Sequence, residues 1–297
     1  MRTAEALKGL APEREFFVGI DSDGCAFPTT ELKQKECFIP STVRYWKLQP
    51  VSRFAREAAE FVNLYSKWRG INRFPALVKV FDLLAERPEV TRALKLPDVG
   101  PLREWIQREK ALGNPSLKRE VESNPDPILL RTLQWSEAVN EAVEDMVVGV
   151  PPFPGVRESL ESLAGRADLM VVSATPGEAL EREWREHGID GHVRVIAGQE
   201  MGSKTEHLAL AAGGKYAPGR LLMIGDAPGD MSAARANGAL FFPINPGSEE
   251  RSWERFLVEG LKRFLQGSFA GSYEKELIAE FEELLPETPP WKRQVGA

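Results

Sequence analysis

Cysteine is scarce in this chain of 297 residues, which carries only Cys25 and Cys37. Two cysteines without a CxxC pair or zinc-ligand spacing give no disulfide framework and no cysteine metal site, and we expect two reduced thiols. Histidine is almost as rare, and the three histidines, His187, His192 and His207, lie in polar stretches. We expect all three at the surface, without a catalytic or metal-binding role.

Two further features are missing: an excess of positive charge and a long apolar run. The net charge of -6 gives no electrostatic reason to expect nucleic acid or an anionic membrane as a partner. No window approaches the roughly 18 apolar residues of a membrane span, and the N-terminal MRTAEALKGLAPERE does not resemble a secretory signal. We therefore expect a cytoplasmic protein with no nucleic-acid or membrane partner and an unknown oligomeric state.

What the chain does contain is a repeated pattern of short apolar runs and helical segments. The runs are rich in Val, Ile, Leu and Phe without strict alternation, which is typical of parallel strands buried on both faces. Helical segments that tend to begin with Pro, Ser or Asp and to end with Gly separate the later runs. The pattern predicts an α/β fold, a doubly wound parallel sheet. The runs are residues 16–20, 168–175, 193–198, 220–226 and 239–245.

The region between the first two runs differs, because it is almost entirely helical. We expect amphipathic helices over 52–68, 74–88 and 101–113, then a long loop, and a helix from Asp126 to about Met146. The predicted organisation is an α/β core formed by 1–30 and 150–267, a helical module inserted at 31–149, and a C-terminal helix and tail at 268–297.

Polar residues follow the predicted strands where each of them ends. Because the carboxyl ends of parallel strands meet at one edge of a sheet, these side chains should converge. Several carboxylates together repel one another unless a cation neutralises them, and a set without Cys or His favours a hard ion such as Mg²⁺. The groups are Asp21-Ser22-Asp23, Ser173-Ala174-Thr175, Ser203-Lys204 and Gly225-Asp226 with Asp230.

These motifs, in this order and at strand ends, resemble those of the haloacid dehalogenase (HAD) superfamily. The resemblance covers about residues 16–30 and 150–250 and implies a Rossmann-like core that transfers phosphoryl groups. By resemblance, Asp21 is the nucleophile that becomes an aspartyl-phosphate, and Asp23 is the general acid for the leaving group and then the general base for water. The Asp23 carboxylate is absent from the dehalogenases that name the superfamily, which argues against carbon–halogen chemistry.

The resemblance also implies a metal site. The side chain of Asp21, the backbone carbonyl of Asp23 and Asp226 would ligate Mg²⁺, with Asp230 beside or behind them. The residues alone also allow a purely structural role for Asp230, which could instead cap the following helix.

The remaining motifs would bind the phosphate. The resemblance assigns phosphate oxygens to Ser173 and the Ala174 amide, and charge neutralisation to Lys204. Ser173 as a helix N-cap and Lys204 as a solvent-exposed residue stay open as alternatives. Two positions depart from the family: Cys25 stands where Thr is common, and Ala174 stands where many members have Asn.

An insert after the first motif resembles the C1-type cap of this superfamily. Its KWRGINRFPAL stretch, residues 67–77, looks like the substrate-specificity loop of β-phosphoglucomutase-like members. The resemblance assigns substrate selection to Arg69, Gly70, Asn72 and Arg73. The alternative is an ordinary polar turn between two helices, with Gly70 at the helix C-terminus.

Together these features indicate a Mg²⁺-dependent phosphatase, akin to β-phosphoglucomutase and phosphoglycolate phosphatase, that acts on a small phosphorylated metabolite, for which a sugar phosphate is one candidate. A phosphomutase would use the same residues and return the phosphoryl group to a sugar hydroxyl. A non-catalytic phosphate-binding protein is a third possibility, although all four motifs are present. A receiver-type signalling domain also uses acids, a hydroxyl and a lysine, but it lacks this Asp-x-Asp arrangement and a cap.

Overall fold

The structure, a computed structural model, describes residues 3–293 and divides them into two compact units. The first unit consists of residues 3–30 and 149–285, and the second of residues 31–148 and 286–293. The C-terminal segment, which we predicted as separate from residue 268, is thus divided between the two units after Leu285. That the units are a catalytic core and a cap stays a prediction.

The first unit is built on a parallel sheet of five strands, in the order β3-β2-β1-β4-β5. Its helices pack on both faces of the sheet, so the predicted fold class is confirmed. The strands are β1 (Phe16–Ile20), β2 (Ala167–Val172), β3 (Val195–Ala197), β4 (Leu221–Gly225) and β5 (Leu240–Pro243).

Helices make up most of the rest of the described chain. In chain order they are α1 (Ala4–Lys8), α2 (Thr29–Leu32), α3 (Ile39–Tyr45), α4 (Ser52–Leu64), α5 (Arg73–Ala85), α6 (Pro88–Ala93), α7 (Gly100–Arg108), α8 (Asn114–Ser123), α9 (Pro127–Met146), α10 (Val156–Leu163), α11 (Gly177–Glu186), α12 (Lys204–Ala212), α13 (Pro228–Ala236), α14 (Glu249–Arg255), α15 (Leu261–Leu265), α16 (Ser272–Leu284) and α17 (Pro290–Arg293). Two π-helical segments, Lys33–Phe38 and Phe256–Gly260, continue into α3 and α15. No helix within residues 3–293 is long and apolar enough to cross a membrane.

Strand β1 lies at the centre of the sheet, and all five of its residues are buried. Alternate residues face opposite sides, so Phe16, Val18 and Ile20 join one apolar cluster while Phe17 joins the other. Gly19 has a steric reason: a Cβ there would lie 3.0 Å from Leu208 Cδ2 and 3.1 Å from Met223 Sδ. The unalternating FFVGI sequence therefore follows from burial on both faces.

The outer edge of the sheet at β5 is covered by α16. The Phe241 amide donates a hydrogen bond to Glu274 Oε1 of that helix at 2.9 Å. Phe241 and Phe281 also pack edge to face, with ring centroids 5.7 Å apart. Helix α16 therefore protects a strand edge that would otherwise expose an unpaired amide.

At the opposite end of the sheet from the strand carboxyl termini, Asp168 in β2 anchors the N-terminal segment. Its carboxylate accepts hydrogen bonds from the Glu13 and Arg14 amides at 2.9 and 3.1 Å and from the Tyr216 hydroxyl at 2.6 Å. Arg194 completes the set with an ion pair at 3.2 Å. Asp168 is only 3% exposed, so these contacts compensate a buried charge.

The second unit has its own helical core, in which Trp46, Trp105 and Trp135 are almost completely buried. Phe74 and Trp105 meet at a right angle, with ring centroids 5.1 Å apart. Asp126 caps α9 as predicted: its Oδ1 accepts from the Ile128 amide at 2.7 Å.

The predicted loop between residues 113 and 127 is wrong, because α8 occupies most of it. Pro115 lies in the first turn of this helix, where a missing amide hydrogen costs nothing. The Ser116 hydroxyl accepts from the Gly113 amide at 3.2 Å and donates to the Ala111 carbonyl at 2.6 Å. These side-chain bonds give the helix a start that its proline content alone did not indicate.

Candidate active site

The carboxyl ends of β1 and β4 place two predicted site residues side by side. The strands pair in parallel, with Ile20 opposite Ile224, and the Asp21 amide continues the ladder by donating to the Ile224 carbonyl at 3.0 Å. Asp21 and Asp226 therefore leave the sheet at the same edge, and they are 4% and 2% exposed. Two nearly buried carboxylates beside each other require positive charge nearby.

Lys204 supplies part of that charge from the first turn of α12. Its ammonium lies 2.7 Å from Asp21 Oδ2 and 2.6 Å from Asp230 Oδ1. Burial by itself would lower the pKa of Lys204, but the carboxylates of Asp21 and Asp230 raise it above its ordinary value, so the lysine stays charged. The alternative of a solvent-exposed lysine does not hold, because its side chain is only 19% exposed.

Asp230 lies in the first turn of α13 and is fully buried. Its Oδ2 accepts from the amides of Asp226 and Ala227 at 3.2 and 3.0 Å, while its Oδ1 faces Lys204. Gly225 allows this approach, since a Cβ there would lie 2.4 Å from Asp230 Cβ. The sequence left two roles open for Asp230, as a helix cap or as part of the site. In the structure the Asp230 carboxylate makes both the capping hydrogen bonds and the contact with Lys204.

Three acids form a cluster that could hold a metal ion: Asp21, Asp226 and Asp230 each offer one carboxylate oxygen, and these atoms lie within 4.8 Å of one another. The donor set is entirely oxygen, which suits Mg²⁺ and excludes a thiolate or imidazole zinc site here. Burial raises the pKa of Asp21 well above its usual range, and the charges of Asp230 and Asp226 raise it further, while Lys204 lowers it. A cation among the three acids would favour ionised Asp21, so these residues fit such an ion.

Asp23 is held by two threonine hydroxyls. Thr29 donates to its Oδ1, and Thr175 donates to its Oδ2 at 2.6 Å. The chain reverses just after Asp23 because Gly24 adopts a φ of +78°, and the Gly24 amide donates to the Phe27 carbonyl at 2.7 Å. Thr29 was not among the predicted site residues, and Thr175 was predicted only as part of the Ser173-Ala174-Thr175 group, without a role of its own.

Ser22, between the two acids, is anchored to α11. Its hydroxyl accepts from the Trp184 indole at 3.0 Å and donates to Glu183 Oε2 at 3.1 Å. The side chain of Ser22 is fully buried, so these bonds also satisfy a polar group inside the core. Side chains alternate along an extended chain, so the sequence predicts that Ser22 faces away from Asp21 and Asp23. It does not predict that Trp184 and Glu183 are the partners of Ser22.

Ser173 and Ala174 follow β2, the strand next to β1, and lie at the same edge of the sheet. Ser173 is 2% exposed, and its Oγ accepts from the Thr175 amide at 3.2 Å. Ala174 is exposed. The hydroxyl of Ser173 therefore supports the turn before α11, and it does not cap that helix, whose N-cap residue is Pro176.

Cys25 and His207 are two further buried residues of the first unit, and only the placement of His207 differs from the prediction. Cys25 is fully buried, its Sγ lies 3.6 Å from the Ile224 carbonyl, and burial raises the pKa of its thiol, so it is an unreactive thiol. His207, which we predicted at the surface, is fully buried one turn after Lys204, so that prediction is wrong. Burial lowers the pKa of His207, which favours the neutral imidazole.

The predicted specificity residues all lie in the second unit, around the start of α5. Arg69 is 4% exposed, and its guanidinium donates to the Leu64 carbonyl at 2.9 Å. Gly70 has a φ of +79°, and Asn72 caps α5 by accepting from the Phe74 amide at 3.0 Å. Three of the four predicted residues, Arg69, Gly70 and Asn72, therefore have a structural role within the turn itself.

Arg73 differs from those three because its guanidinium is desolvated among neutral partners. It donates to Ser136 Oγ at 2.9 Å and Asn140 Oδ1 at 2.7 Å, and it lies 5.0 Å from the centre of the Phe38 ring. Burial lowers the pKa of Arg73 to about 10. No carboxylate contact of Arg73 occurs in residues 3–293.

The family model described as haloacid dehalogenase-like hydrolase matches residues 107–243, which include β2 to β5. The predicted resemblance to the haloacid dehalogenase superfamily is confirmed. The same match confirms the expectation of an enzyme of the hydrolase class. No curated protein matches the sequence at a significant level.

Solved structures also match this chain, at low sequence identity. A putative phosphoglycolate phosphatase from Lactobacillus delbrueckii subsp. bulgaricus is 15% identical, with a TM-score of 0.50, over 85% of this chain and 98% of that one. A predicted phosphoglycolate phosphatase from Haemophilus somnus is 18% identical, with a TM-score of 0.45, over 78% of this chain and 86% of that one. The first of these supports the fold of this chain and nothing finer.

Proposed function

We propose that this HAD-like hydrolase is a Mg²⁺-dependent phosphatase that acts on a small phosphorylated metabolite through an aspartyl-phosphate on Asp21. The observation that carries the proposal is the pair of contacts on the Asp21 carboxylate. The Ser22 amide donates to its Oδ1 at 2.8 Å, and Lys204 donates to its Oδ2 at 2.7 Å. A carboxylate fixed in this way, beside a cation and at the edge where ligands bind, is suited to attack phosphorus.

Asp21, Asp226 and Asp230 would hold Mg²⁺, with the backbone carbonyl of Asp23 as a further ligand. When bound, the ion would stabilise negative charge on the transferring phosphoryl group. The protein's own part is to keep the carboxylates together before substrate arrives. Lys204 does this for Asp21 and Asp230, and the Asp226 and Ala227 amides fix Asp230 from the other side.

The chemistry proceeds in two displacements. In the first, a bond forms from Asp21 to phosphorus, the bond from phosphorus to the leaving-group oxygen breaks, and Asp23 gives its proton to that oxygen. In the second, water attacks phosphorus and gives a proton to Asp23, and the bond between Asp21 and phosphorus breaks. Ser173, the Ala174 amide and Lys204 would bind the phosphate oxygens during both steps.

We also propose that the second unit, at residues 31–148, is the substrate-selecting cap. Arg73 is the residue that best supports this proposal, because its desolvated guanidinium has only neutral hydrogen-bond partners within residues 3–293. A guanidinium can bind an anionic or polyhydroxylated part of a metabolite with several donors at once.

A phosphate-release screen tests the proposed function. Phosphorylated metabolites are incubated with wild type and with Asp21→Asn, each with Mg²⁺ or with excess chelator. We expect inorganic phosphate only from wild type with Mg²⁺. Full turnover in chelator would contradict the metal requirement, and an isomerised phosphate ester as the product would identify a mutase instead.

A further inference from the structure

The contact between Thr175 and Asp23 connects two motifs that lie 152 positions apart in the chain. Asp23 belongs to the turn after β1, and Thr175 to the turn after β2. The hydroxyl-to-carboxylate distance of 2.6 Å is that of a strong, charge-assisted hydrogen bond.

Thr175 is itself held rigidly. Its amide donates to Ser173 Oγ at 3.2 Å, and its carbonyl accepts from the Gln199 amide at 3.1 Å. Pro176 follows directly, and a residue before proline is restricted to extended conformations. The hydroxyl of Thr175 is therefore presented to Asp23 from a backbone that the sheet and the neighbouring loop fix in place.

A hydroxyl has a property here that a cationic partner would lack. It donates to Asp23 when the carboxylate is ionised, and it can accept from the carboxyl O–H when Asp23 is protonated. An acid that must lose a proton and regain it needs a partner that tolerates both states. Lys or Arg in this place would favour the carboxylate alone and oppose its role as an acid.

We propose that Thr175 is a positioning residue for Asp23, which it holds in orientation for proton transfer to the leaving group and from water. This inference rests on the proposed function, in which Asp23 is the general acid. A carboxylate oxygen can accept more than one hydrogen bond, so the bond from Thr175 does not by itself keep Asp23 from substrate. Thr29, the first residue of α2, donates to the other oxygen, and Thr175 connects the turn to the segment after β2.

The test uses the dependence of rate on the leaving group. A good leaving group such as 2,4-dinitrophenolate needs little protonation, whereas phenolate needs much more. General acid catalysis contributes about 10²- to 10⁴-fold, so Thr175→Val, which removes the hydroxyl and keeps the shape, should lower kcat/KM for phenyl phosphate by about 10- to 100-fold. For 2,4-dinitrophenyl phosphate the loss should stay below about 3-fold. Thr175→Ser should restore most of the phenyl phosphate rate.

Thr132→Val is the matched control, because Thr132 is a fully buried threonine of the second unit whose hydroxyl donates to the Ile128 carbonyl at 2.7 Å. It should show no dependence on the leaving group. Equal losses of Thr175→Val on both esters, or no loss at all, would overturn the inference. So would a crystal structure of Thr175→Val with Asp23 unmoved, which requires no turnover.

Asp23→Asn separates this inference from the proposed function. If Asp23→Asn is selective for the leaving group and Thr175→Val is not, only the role of Thr175 fails. If Asp23→Asn lacks this selectivity, Asp23 is not the acid, and the proposed mechanism and the inference fail together.

Discussion

Lys204 donates a hydrogen bond to Asp21 at 2.7 Å, across 183 positions of sequence. The contact joins the end of β1 to the start of α12, and the same ammonium also reaches Asp230 at 2.6 Å. One positive charge thus faces a cluster of three buried acids. The site therefore has a negative charge that its own lysine does not cancel, which is the physical basis of the predictions on the nucleophile and on metal.

Asp21→Asn should abolish turnover and leave the fold intact. The amide keeps the shape and the contact with the Ser22 amide, but it is not a nucleophile. We expect kcat to fall by more than about a thousandfold, which corresponds to about 4 kcal/mol of barrier, in a phosphate-release assay. Asp190→Asn is the control, since Asp190 lies in an exposed turn where its closest ion pair is 3.8 Å long. Retention of more than about a thousandth of kcat would show that Asp21 is not the nucleophile.

Mg²⁺ should raise the melting temperature of the wild-type protein in the absence of substrate. A ligand that binds only the folded state at about 100 times its Kd stabilises by about 2.7 kcal/mol, and relief of repulsion among the acids is the source here. Asp226→Asn should weaken this shift, as measured by thermal denaturation against Mg²⁺ concentration.

Glu254→Gln, a change to an exposed acid of α14, is the matched control and should keep the full shift. Ca²⁺ should support turnover poorly, because its longer and looser coordination places the phosphoryl group less accurately. An unchanged melting temperature at high Mg²⁺ would contradict a metal site among these acids.

Asp168→Asn should destabilise the protein without touching the chemistry. The change leaves Arg194 without its buried partner and alters the acceptor for the Glu13 and Arg14 amides and Tyr216. Arg194 is 25% exposed and keeps Glu13 as a partner, so the main cost is the loss of hydrogen bonds to a buried carboxylate. Hydrogen bonds to charged groups contribute about 1.5–3 kcal/mol, so the free energy of unfolding in urea should drop by about 3 kcal/mol.

Tyr216→Phe removes a single hydroxyl from the same group and should cost about 1–2 kcal/mol. In both variants kcat of the folded enzyme should stay near that of wild type, because Asp168 lies at the opposite end of β2 from Ser173. A large loss of kcat with unchanged stability would argue against a purely structural anchor.

The sequence predicted the parts of the site that the backbone dictates. Asp21 and Asp226 follow buried strands, and parallel pairing brings strand ends together whatever the side chains are. Lys204 was identified through its family motif, although the residue alone looked exposed. The family motif includes Gly225, but only the structure gives the reason for it. The Asp230 side chain packs against Gly225 so closely that a Cβ at this position would collide with it.

What the sequence did not predict depends on contacts between side chains distant in the chain. Thr175 belongs to a predicted motif, but its hydrogen bond to Asp23 depends on the pairing of β1 with β2. His207 lies on the inner face of α12 beside Leu208, and polar neighbours in sequence hid that placement. Helix α8 lies where the sequence predicts a loop, because proline disrupts the interior of a helix but is compatible with its first turn, where Pro115 lies.

The last prediction concerns Arg69 and Arg73, the two arginines near the start of α5. The sequence predicts substrate selection for both, but the structure gives them different surroundings. Arg69 is buried against the Leu64 carbonyl, so Arg69→Ala should lower the stability of the second unit. Because a folding defect affects every substrate equally, Arg69→Ala should depress turnover of a metabolite and of phenyl phosphate by similar factors. In the part of the chain that the structure describes, Arg73 has neutral partners only, and it is the candidate for contact with substrate.

Losing a charge-assisted hydrogen bond costs about 1.5–3 kcal/mol, so Arg73→Ala should lower kcat/KM on the best metabolite by about 10- to 150-fold. Phenyl phosphate has no second polar group for the guanidinium, so its kcat/KM should change little, and Arg73→Lys should recover only part of the metabolite rate. Arg53→Ala, at a side chain 84% exposed, is the control for loss of a positive charge in the same unit. Equal losses on both substrates for Arg73→Ala would assign Arg73 to the packing of α5 against α9 and remove it from substrate selection.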